Sequence, residues 1–513
     1  MGLGRALAVG LIGLEGHVVE VQADVTPGLP AFTLVGLPDA ALTEARERVR
    51  VALGNAGYRL PSRRITVNLS PAALPKSGTG FDLAVAAALL AATDCVDPAL
   101  VAEAVHLGEL ALDGRVQAVR GVLPAVLAAV RAGRTRVVVP ELNALEARLV
   151  PGVDVVPVRW LSDAVALHRG IGPSDWPGPW ADPPPPSDTA TAFRPDLADV
   201  VGQTHARRAL EVAAAGGHHL LLLGPPGAGK TMLAARLPGL LPDLDEEHAL
   251  EVTAVHSVAG TLDAAAGLVR RPPFEDPHHS ATVAALVGGG TGLARPGAAS
   301  RAHRGVLFLD EAPEFSSAAL EALRQPLEHG ELVIHRALGA ARFPARFQLV
   351  LAANPCPCGR ATGTGQDCTC TPLARRRYLR RLSGPLLDRV DIQIEVPAVT
   401  RAEMAAAGTP EPSSVVSVRV AEARAAQRER LRAVGHSCNG DVPGQDLRGR
   451  LALPGSAVRD LDRAMDRGLL TVRGYDRVLR LAWTEADLDG CALPDRDHVG
   501  RALLLRTHGR VAA

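Results

Sequence analysis

The chain has almost no lysine. Lys76 and Lys230 stand against 53 arginines, so arginine serves nearly every other basic position. A guanidinium is wide and planar, whereas a compact ammonium fits a phosphate cradle, so the place of a lysine is informative. Net charge is lacking too, with 55 basic residues balancing 55 acidic ones. That balance gives no global attraction to polyanions, and any nucleic-acid contact has to be local. No uninterrupted apolar run approaches the roughly 18 residues of a membrane span. The apolar N-terminus is broken by Glu15 and His17 and is followed by no small-residue cleavage site, which argues against a secretory signal. The seven cysteines are an odd number, and four of them fall within fifteen residues. That reads as a metal site in a reducing compartment rather than a disulfide framework, and the cytoplasm is the expected location.

What is present is organised around Leu220–Thr231, LLLLGPPGAGKT. An apolar run, the motif G-x-x-x-x-G-K-T and a helix-forming MLAARL follow in that order, the context a phosphate-binding loop needs. The loop comprises Gly224, Pro225, Pro226, Gly227, Ala228, Gly229, Lys230 and Thr231. Its backbone N–H groups turn inward onto phosphate oxygens, and the positive end of the following helix adds to them. Lys230 can reach the β- and γ-phosphates, and the Thr231 hydroxyl can ligate Mg²⁺. ATP and Mg²⁺ are the expected cofactors.

The length of 513 residues suggests roughly two to four domains. Residues 1–171 mix strand-like stretches (HVVEVQADV, ITVNLS) with helical ones (Asp39 to Ala52, Phe81 to Thr93, Gly121 to Ala132), as an α+β domain would. Residues 172–192 are proline-rich and read as a semi-rigid linker. Residues 193–399 alternate helices with apolar strands, Leu220 to Leu223, Val306 to Leu309 and Gln348 to Ala353, which predicts a parallel sheet covered on both faces. Residues 400–513 are helical throughout and read as an all-α lid. The fold class is thus multidomain α/β.

Ligands bind at the carboxyl ends of such strands. Asp310 and Glu311 end the second apolar strand, about 80 residues past the loop. The first would hold the Mg²⁺ water shell, and the second would polarise the attacking water. Asn354, ending the third, can orient the same water, although Asn-Pro is also a common turn starter. Arg389, in SGPLLDRVDI, is the candidate arginine finger, projecting from the domain edge toward a neighbour. Arg473, in TVRGYDRVLRLA, is the candidate lid arginine touching the same nucleotide. Cys356, Cys358, Cys368 and Cys370 form C-x-C…C-x-C, which four thiolates could close around Zn²⁺; free thiols are the alternative. His278 and His279 are adjacent and would face opposite ways on a strand, so a shared metal is not expected. The segment ELVIHRALGAARF looks like a β-hairpin bearing His335, Arg336 and Arg342. Arg375, Arg376, Arg377, Arg380 and Arg381 surround Tyr378 in a basic cluster suited to phosphates or to an acidic protein face.

The order GPPGAGKT, VLFLDE, AANP, SGPLLDR, VRG resembles the AAA+ ATPases of the magnesium-chelatase-like group. With VGLPD at 35–39, RITVNLSPAALPKSGTGFDLA at 64–84, PHHSATVAALVGGG at 277–290 and RLSGPLLDR at 381–389, the chain is identified as a member of the YifB/ComM family. The resemblance covers nearly the whole length. It implies a homohexameric ring with ATP at subunit boundaries, and a branch-migration helicase role on branched or single-stranded DNA in natural transformation and recombination. It also implies that the 331–343 hairpin lines the ring pore, with His335, Arg336 and Arg342 as DNA contacts. The N-terminal domain resembles the Lon-protease-like fold, related to ribosomal S5 domain 2. Peptidase activity is not expected, because GTGFDLAVA offers no nucleophilic serine and GVLPAVLAAV no lysine; Lys76 and Ser77 sit on a proline–glycine loop with nothing to orient them. The alternative reading is a magnesium-chelatase-type remodelling ATPase acting on a protein or metal-insertion partner.

Overall fold

Small residues alternating with larger ones build β1 (Gly4–Ile12), and apolar residues alternating with polar ones build most of β2 (Glu15–Thr26); these two longest strands pair antiparallel along the whole of β1. The computed structural model describes residues 2–36, 40–72, 74, 80–171, 195–290, 294–336, 339–361, 368–406 and 410–507. The proline-rich linker, Lys76 and Ser77 lie outside the described residues. Strand β1 has no counterpart among the sequence expectations. Its alanines and glycines carry little β-propensity, and it is defined by its pairing with β2 and by burial of Ala6 and Ala8.

Seven more strands are described in the N-terminal half: β3 (Ala31–Val35), β4 (Arg64–Ser70), β5 (Ala104–His106), the small pair β6 (Glu109–Leu110) and β7 (Val116–Gln117), β8 (Arg136–Pro140) and β9 (Asp154–Val158). Seven of these nine strands form one mixed sheet in the order β3-β4-β2-β1-β5-β8-β9. Helices Ala40–Asn55, Asp82–Ala92 and Val122–Arg131 fall where the sequence places them. The second is buried along its whole length, and its Asp82 carboxylate is met by Arg48 at 2.9 and 3.1 Å.

The second sheet contains β10 (Leu220–Leu223), β11 (Phe274–Glu275) and β12 (Val306–Leu309). After the hairpin β13 (Glu331–Arg336) and β14 (Gly339–Pro344), it gains β15 (Gln348–Ala353) and β16 (Ile392–Glu395). Its order is β11-β12-β15-β10-β16, and every pairing is parallel. Strand β15 thus lies between β12 and β10, although β12 precedes it in the chain. The parallel sheet agrees with the continuous apolar strands, which are buried on both faces.

Beyond Thr400 every regular element among the described residues is helical, chiefly Ser413–Leu431, Gly455–Asp466, Val472–Leu488 and Arg496–Thr507. These helices share one apolar cluster with helix Thr204–Gly216 and with β10 and β16. A buried polar network pins them. Asp391, at the start of β16, meets His218 Nδ1 at 3.0 Å and Arg477 at 2.6 Å, and His218 Nε2 reaches Thr484 at 2.8 Å. Burial alone would raise the Asp391 carboxyl, but the hydrogen bond from His218 and the guanidinium of Arg477 hold it well below the usual carboxylate range. A depressed folded value stabilises above the unfolded carboxylate pKa, and that contribution is lost as pH falls below it. Asp391→Ala should cost about 3–5 kcal/mol, because it leaves a buried guanidinium unpaired. Urea denaturation followed by far-ultraviolet circular dichroism measures it, and a shift below about 1 kcal/mol would show that the network is dispensable.

The two halves touch. Helix Val122–Arg131 packs on helix Glu246–Ala259, and buried Glu146 accepts hydrogen bonds from the Ser257 hydroxyl at 2.5 Å and the Leu123 N–H at 2.9 Å. Leu14, at the β1–β2 turn, packs with Ile334, Ala341 and Phe343 of the hairpin.

Candidate nucleotide-hydrolysis site

The loop after β10 is shaped by close approaches. A Cβ on Gly224 would lie 2.1 Å from the Val396 carbonyl oxygen, so only glycine fits where β10 runs out beside β16. Gly229 has φ of +85°, the left-handed turn that starts helix Lys230–Ala234. That helix is shorter than MLAARL suggests: it has five residues and gives way to a 3₁₀ turn at Leu237–Leu240, where Pro238 cannot continue it. The loop's own N–H groups, more than a long helix dipole, therefore supply its attraction for anions. Gln203 braces the loop from outside, its amide donating to Ala228 O at 2.6 Å and to Pro397 O at 3.3 Å.

Register brings the polar strand ends to one edge. Leu223 is level with Ala353, and Leu309 with Leu351, so Gly224 and Asn354 leave the sheet side by side and Asp310 leaves it two positions earlier, at the same edge. Lys230 Nζ, on a 7% exposed residue, donates to Gly224 O at 2.7 Å, Pro225 O at 3.0 Å and Asn354 Oδ1 at 3.0 Å. Burial pushes the Lys230 ammonium pKa down, while Asp310 and Glu311 pull it back up. The Thr231 hydroxyl donates to Asp310 Oδ2 at 2.6 Å, so the two oxygens converge as they would around one hard cation. Glu311 follows in a left-handed conformation, φ +49°, its N–H donating to Asp310 Oδ1 at 2.8 Å. Its carboxylate is exposed and lies 3.2 Å from His279 Nδ1.

The two arginines are placed less simply. Arg389 does not project freely from an edge: its side chain is 17% exposed, pairs with Glu328 of its own chain and donates to Pro385 O at 2.5 Å. A partly buried guanidinium takes the nearest carboxylate, which the sequence pattern cannot foresee. Burial, then repulsion from Arg324 and Arg473, lowers its pKa. Arg473 is exposed and pairs with Asp388, the residue before Arg389, at 3.3 Å. The two guanidiniums therefore belong to one positive cluster.

The four clustered cysteines come together. The Sγ atoms of Cys356, Cys358 and Cys368 are 3.3–3.5 Å apart, and all four ligand atoms lie within 4.8 Å of one another. All seven cysteines are free thiols. The same segment touches the phosphate loop, since a Cβ on Gly359 would lie 2.4 Å from Pro226 Cδ. In the hairpin, His335 is exposed, Arg342 pairs with Glu331 at 3.1 Å, and the side chain of Arg336 lies outside what the structure describes. Tyr378 is buried, and burial pushes its phenol up to about 12, so it is a packing residue and offers no ring for bases to stack on. Arg376, Arg377, Arg380 and Arg381 remain exposed, with Arg381 donating to Glu314 at 3.0 Å.

Sequence reasoning missed His279, Gln203 and Glu328. The adjacent histidines were visible as a motif, but nothing in their spacing pointed at Glu311, 32 positions on.

No helix among the described residues is long and apolar enough to cross a membrane. Three family models match the chain: "Magnesium chelatase, subunit ChlI" over residues 196–404, "Subunit ChlI of Mg-chelatase" over 21–143, and "Magnesium chelatase, subunit ChlI C-terminal" over 410–506. The chain is 54% identical over 509 residues to an uncharacterized protein of Mycobacterium tuberculosis, covering 99% of each. It is 42% identical over 505 residues to the competence protein ComM of Haemophilus influenzae, covering 98% of this chain and 96% of that protein. It is 39% identical over 501 residues to the protein YifB of Escherichia coli, again covering 98% and 96%. A Lon protease of Roseiflexus castenholzii is similar over a shorter stretch, 33% identical over 189 residues, which is 34% of this chain and 23% of the protease. With relatives this similar over nearly the whole of both chains, and three such family models matched in succession along it, the chain belongs to the magnesium-chelatase-type AAA+ family that includes ComM and YifB.

Proposed function

We propose that this chain is the subunit of an ATP-hydrolysing homohexameric ring that moves along branched or single-stranded DNA. The observation that carries the ATPase reading is the convergence of Lys230, Thr231, Asp310 and Asn354 at the carboxyl edge of one parallel sheet. Family membership implies ATP and Mg²⁺ use. The residues fit: Thr231 and Asp310 offer the oxygens that would hold Mg²⁺, and Lys230 sits where the β- and γ-phosphates would arrive, its present partners being neutral oxygens. Bound Mg²⁺ would offset charge on the phosphates. Glu311 would accept the proton of the attacking water, and Asn354 would help orient it. Arg389 and Arg473 would act together on the nucleotide of the neighbouring subunit, since an anion arriving there would relieve the repulsion within their cluster.

The DNA reading is supported by the likeness to a competence protein and by local basic features in a chain of zero net charge. A ring that encloses DNA needs charge in its pore, not over its whole surface. His335, Arg336 and Arg342 on the hairpin are assigned to that pore. Contacts of this kind are sequence-independent and weaken with salt. Branched DNA should therefore stimulate ATP hydrolysis without base preference and less at higher salt. Arg336→Ala with Arg342→Ala should leave basal hydrolysis and remove the stimulation. If ATP-loaded rings fail to bind DNA at low salt, the helicase reading falls. The second reading, a chelatase-type remodelling ATPase acting on a protein or metal-insertion partner, then leads; it is favoured by the ChlI family models. Comparing stimulation by branched DNA, peptide and porphyrin separates the two.

The cysteine cluster fits Zn²⁺. A tetrahedral site with Zn–S near 2.3 Å places sulfurs about 3.8 Å apart, close to the separations here. Zinc would brace the loop that leads from Asn354 to the Gly359–Pro226 contact. Protein purified reduced, in the presence of zinc, should carry about one zinc per chain; elemental analysis that finds none rejects the site.

A further inference from the structure

We infer that His279 is a positioning residue for hydrolysis, holding the Glu311 carboxylate so that one oxygen is fixed and the other is left for the attacking water. The inference rests on the ATPase reading above.

Glu311 needs such a partner. It is exposed, it follows the strand end in a left-handed conformation, and its backbone N–H is already committed to Asp310. A glutamate on the surface would otherwise sample many rotamers, and an unplaced base transfers protons poorly. Among the described residues the ion partner of its side chain is His279, through Nδ1 to Oε2 at 3.2 Å.

His279 itself is delivered by a fixed support. Strand β11, which pairs with β12 through Phe274–Val306 and Glu275–Leu307, ends four residues before it. Across it, His278 Nδ1 and the Ser280 hydroxyl meet at 2.8 Å, closing a tight turn. Thr282 then caps helix Val283–Val287, its hydroxyl accepting from the Ala285 N–H at 3.2 Å. That helix buries Leu286 in the same cluster as Leu307 and Leu309 of β12. The strand carrying Asp310 and Glu311 is thus clasped on both sides of the His279 turn, by β11 before it and by the capped helix after it. The ring of His278 lies 4.1 Å from that of His279, centroid to centroid, which limits how far His279 can swing. The charged and titratable groups facing this pair from the surrounding elements include Asp310, Lys230 and His278, and also Tyr378, whose phenol feels the charges of Glu311 and Glu314. None of them takes the Glu311 carboxylate away from His279.

A donor at the Nδ1 position is what this role requires, and at 3.2 Å the carboxylate is within its reach. An asparagine Nδ2 occupies nearly the position of histidine Nδ1 on the same Cβ–Cγ stem, whereas the amide of glutamine extends one carbon further. The series His279→Ala, His279→Asn and His279→Gln therefore tests the geometry. Full-length protein is assayed for steady-state ATP hydrolysis and for binding of a fluorescent ATP analogue. His279→Ala should lower kcat about ten- to hundredfold, the range seen when outer partners of catalytic groups are removed. KM for ATP and analogue binding should stay within about twofold, because the loop and Lys230 are untouched. His279→Asn should recover most of the activity, and His279→Gln should not. In a Glu311→Gln background, His279→Ala should cost nothing more, since both act through one carboxylate.

Equal activity in wild type and His279→Ala overturns the inference. So does an asparagine variant as weak as the alanine one, or a further loss in the Glu311→Gln background, either of which makes His279 a packing residue of its loop. Failure of the ATPase reading is seen separately: wild-type protein would then show no turnover dependent on Glu311 and Lys230.

Discussion

Glu311→Gln should bind ATP and turn it over about 10²–10⁴ times more slowly than wild type, the contribution of a well-placed general base. The substitution is nearly isosteric. The Asp310–Thr231 contact at 2.6 Å and the Lys230 contacts do not involve the Glu311 side chain, so the nucleotide and cation positions should survive. Lys230→Ala should behave differently. It removes an ammonium with three partners at 3.0 Å or less, on both the loop and β15, and it should weaken binding as well as turnover. Equilibrium binding of a fluorescent nucleotide combined with single-turnover hydrolysis separates the two effects. A Glu311→Gln variant with near wild-type turnover would remove that residue from the mechanism, and Asn354 would be the next candidate to examine.

Arg389→Ala should lose on the order of 10³-fold or more in turnover, by analogy with other arginine fingers, although its own phosphate loop is intact. The loss should be in trans. When Arg389→Ala and Lys230→Ala chains are mixed in equal amounts, about a quarter of the boundaries in a randomly assembled ring pair an intact loop with an intact finger, and activity should return in proportion. The pairing of Arg389 with Glu328 adds a condition. The guanidinium has to leave that carboxylate to reach a neighbour's phosphate, and the crowding by Arg324 and Arg473 lowers the cost of leaving. Arg389→Lys should not substitute, because one ammonium cannot reproduce the planar fork. Mixed rings shown to contain both chains, yet inactive, would place Arg389 in a structural role.

Much of the site was legible because phosphate-loop chemistry is local. A strand, a glycine turn and a helix start are contiguous, and Gly224, which no side chain could replace beside Val396, announces itself in the motif. The buried strands were legible because parallel strands covered on both faces are continuously apolar, as LLLL and VLFL are and as QLVLAA is after Gln348. Strand β1 was not, since its alanines and glycines gain β structure only by pairing with β2. The short helix after the loop was overestimated, since Pro238 ends it sooner than propensity suggests. The free projection of Arg389 was an expectation that a nearby carboxylate, 61 positions earlier, reversed.

The sequence by itself determined which groups could do chemistry here: one ammonium in a glycine-rich loop, an acidic pair after an apolar strand, an asparagine after another, and four thiols in a short span. Those identities follow from contiguous residues and need no knowledge of distant ones. Only the tertiary structure decided who meets whom. Lys230 reaches Asn354 across 124 positions because β15 lies beside β10. Thr231 reaches Asp310 across 79, and Glu311 meets His279 because β11 and a capped helix clasp β12 from both sides. The physical reason is the sheet order, which does not follow the chain. Burying every apolar strand between two neighbours puts β15 in the middle, and the polar residues at the strand ends are carried to one edge with it.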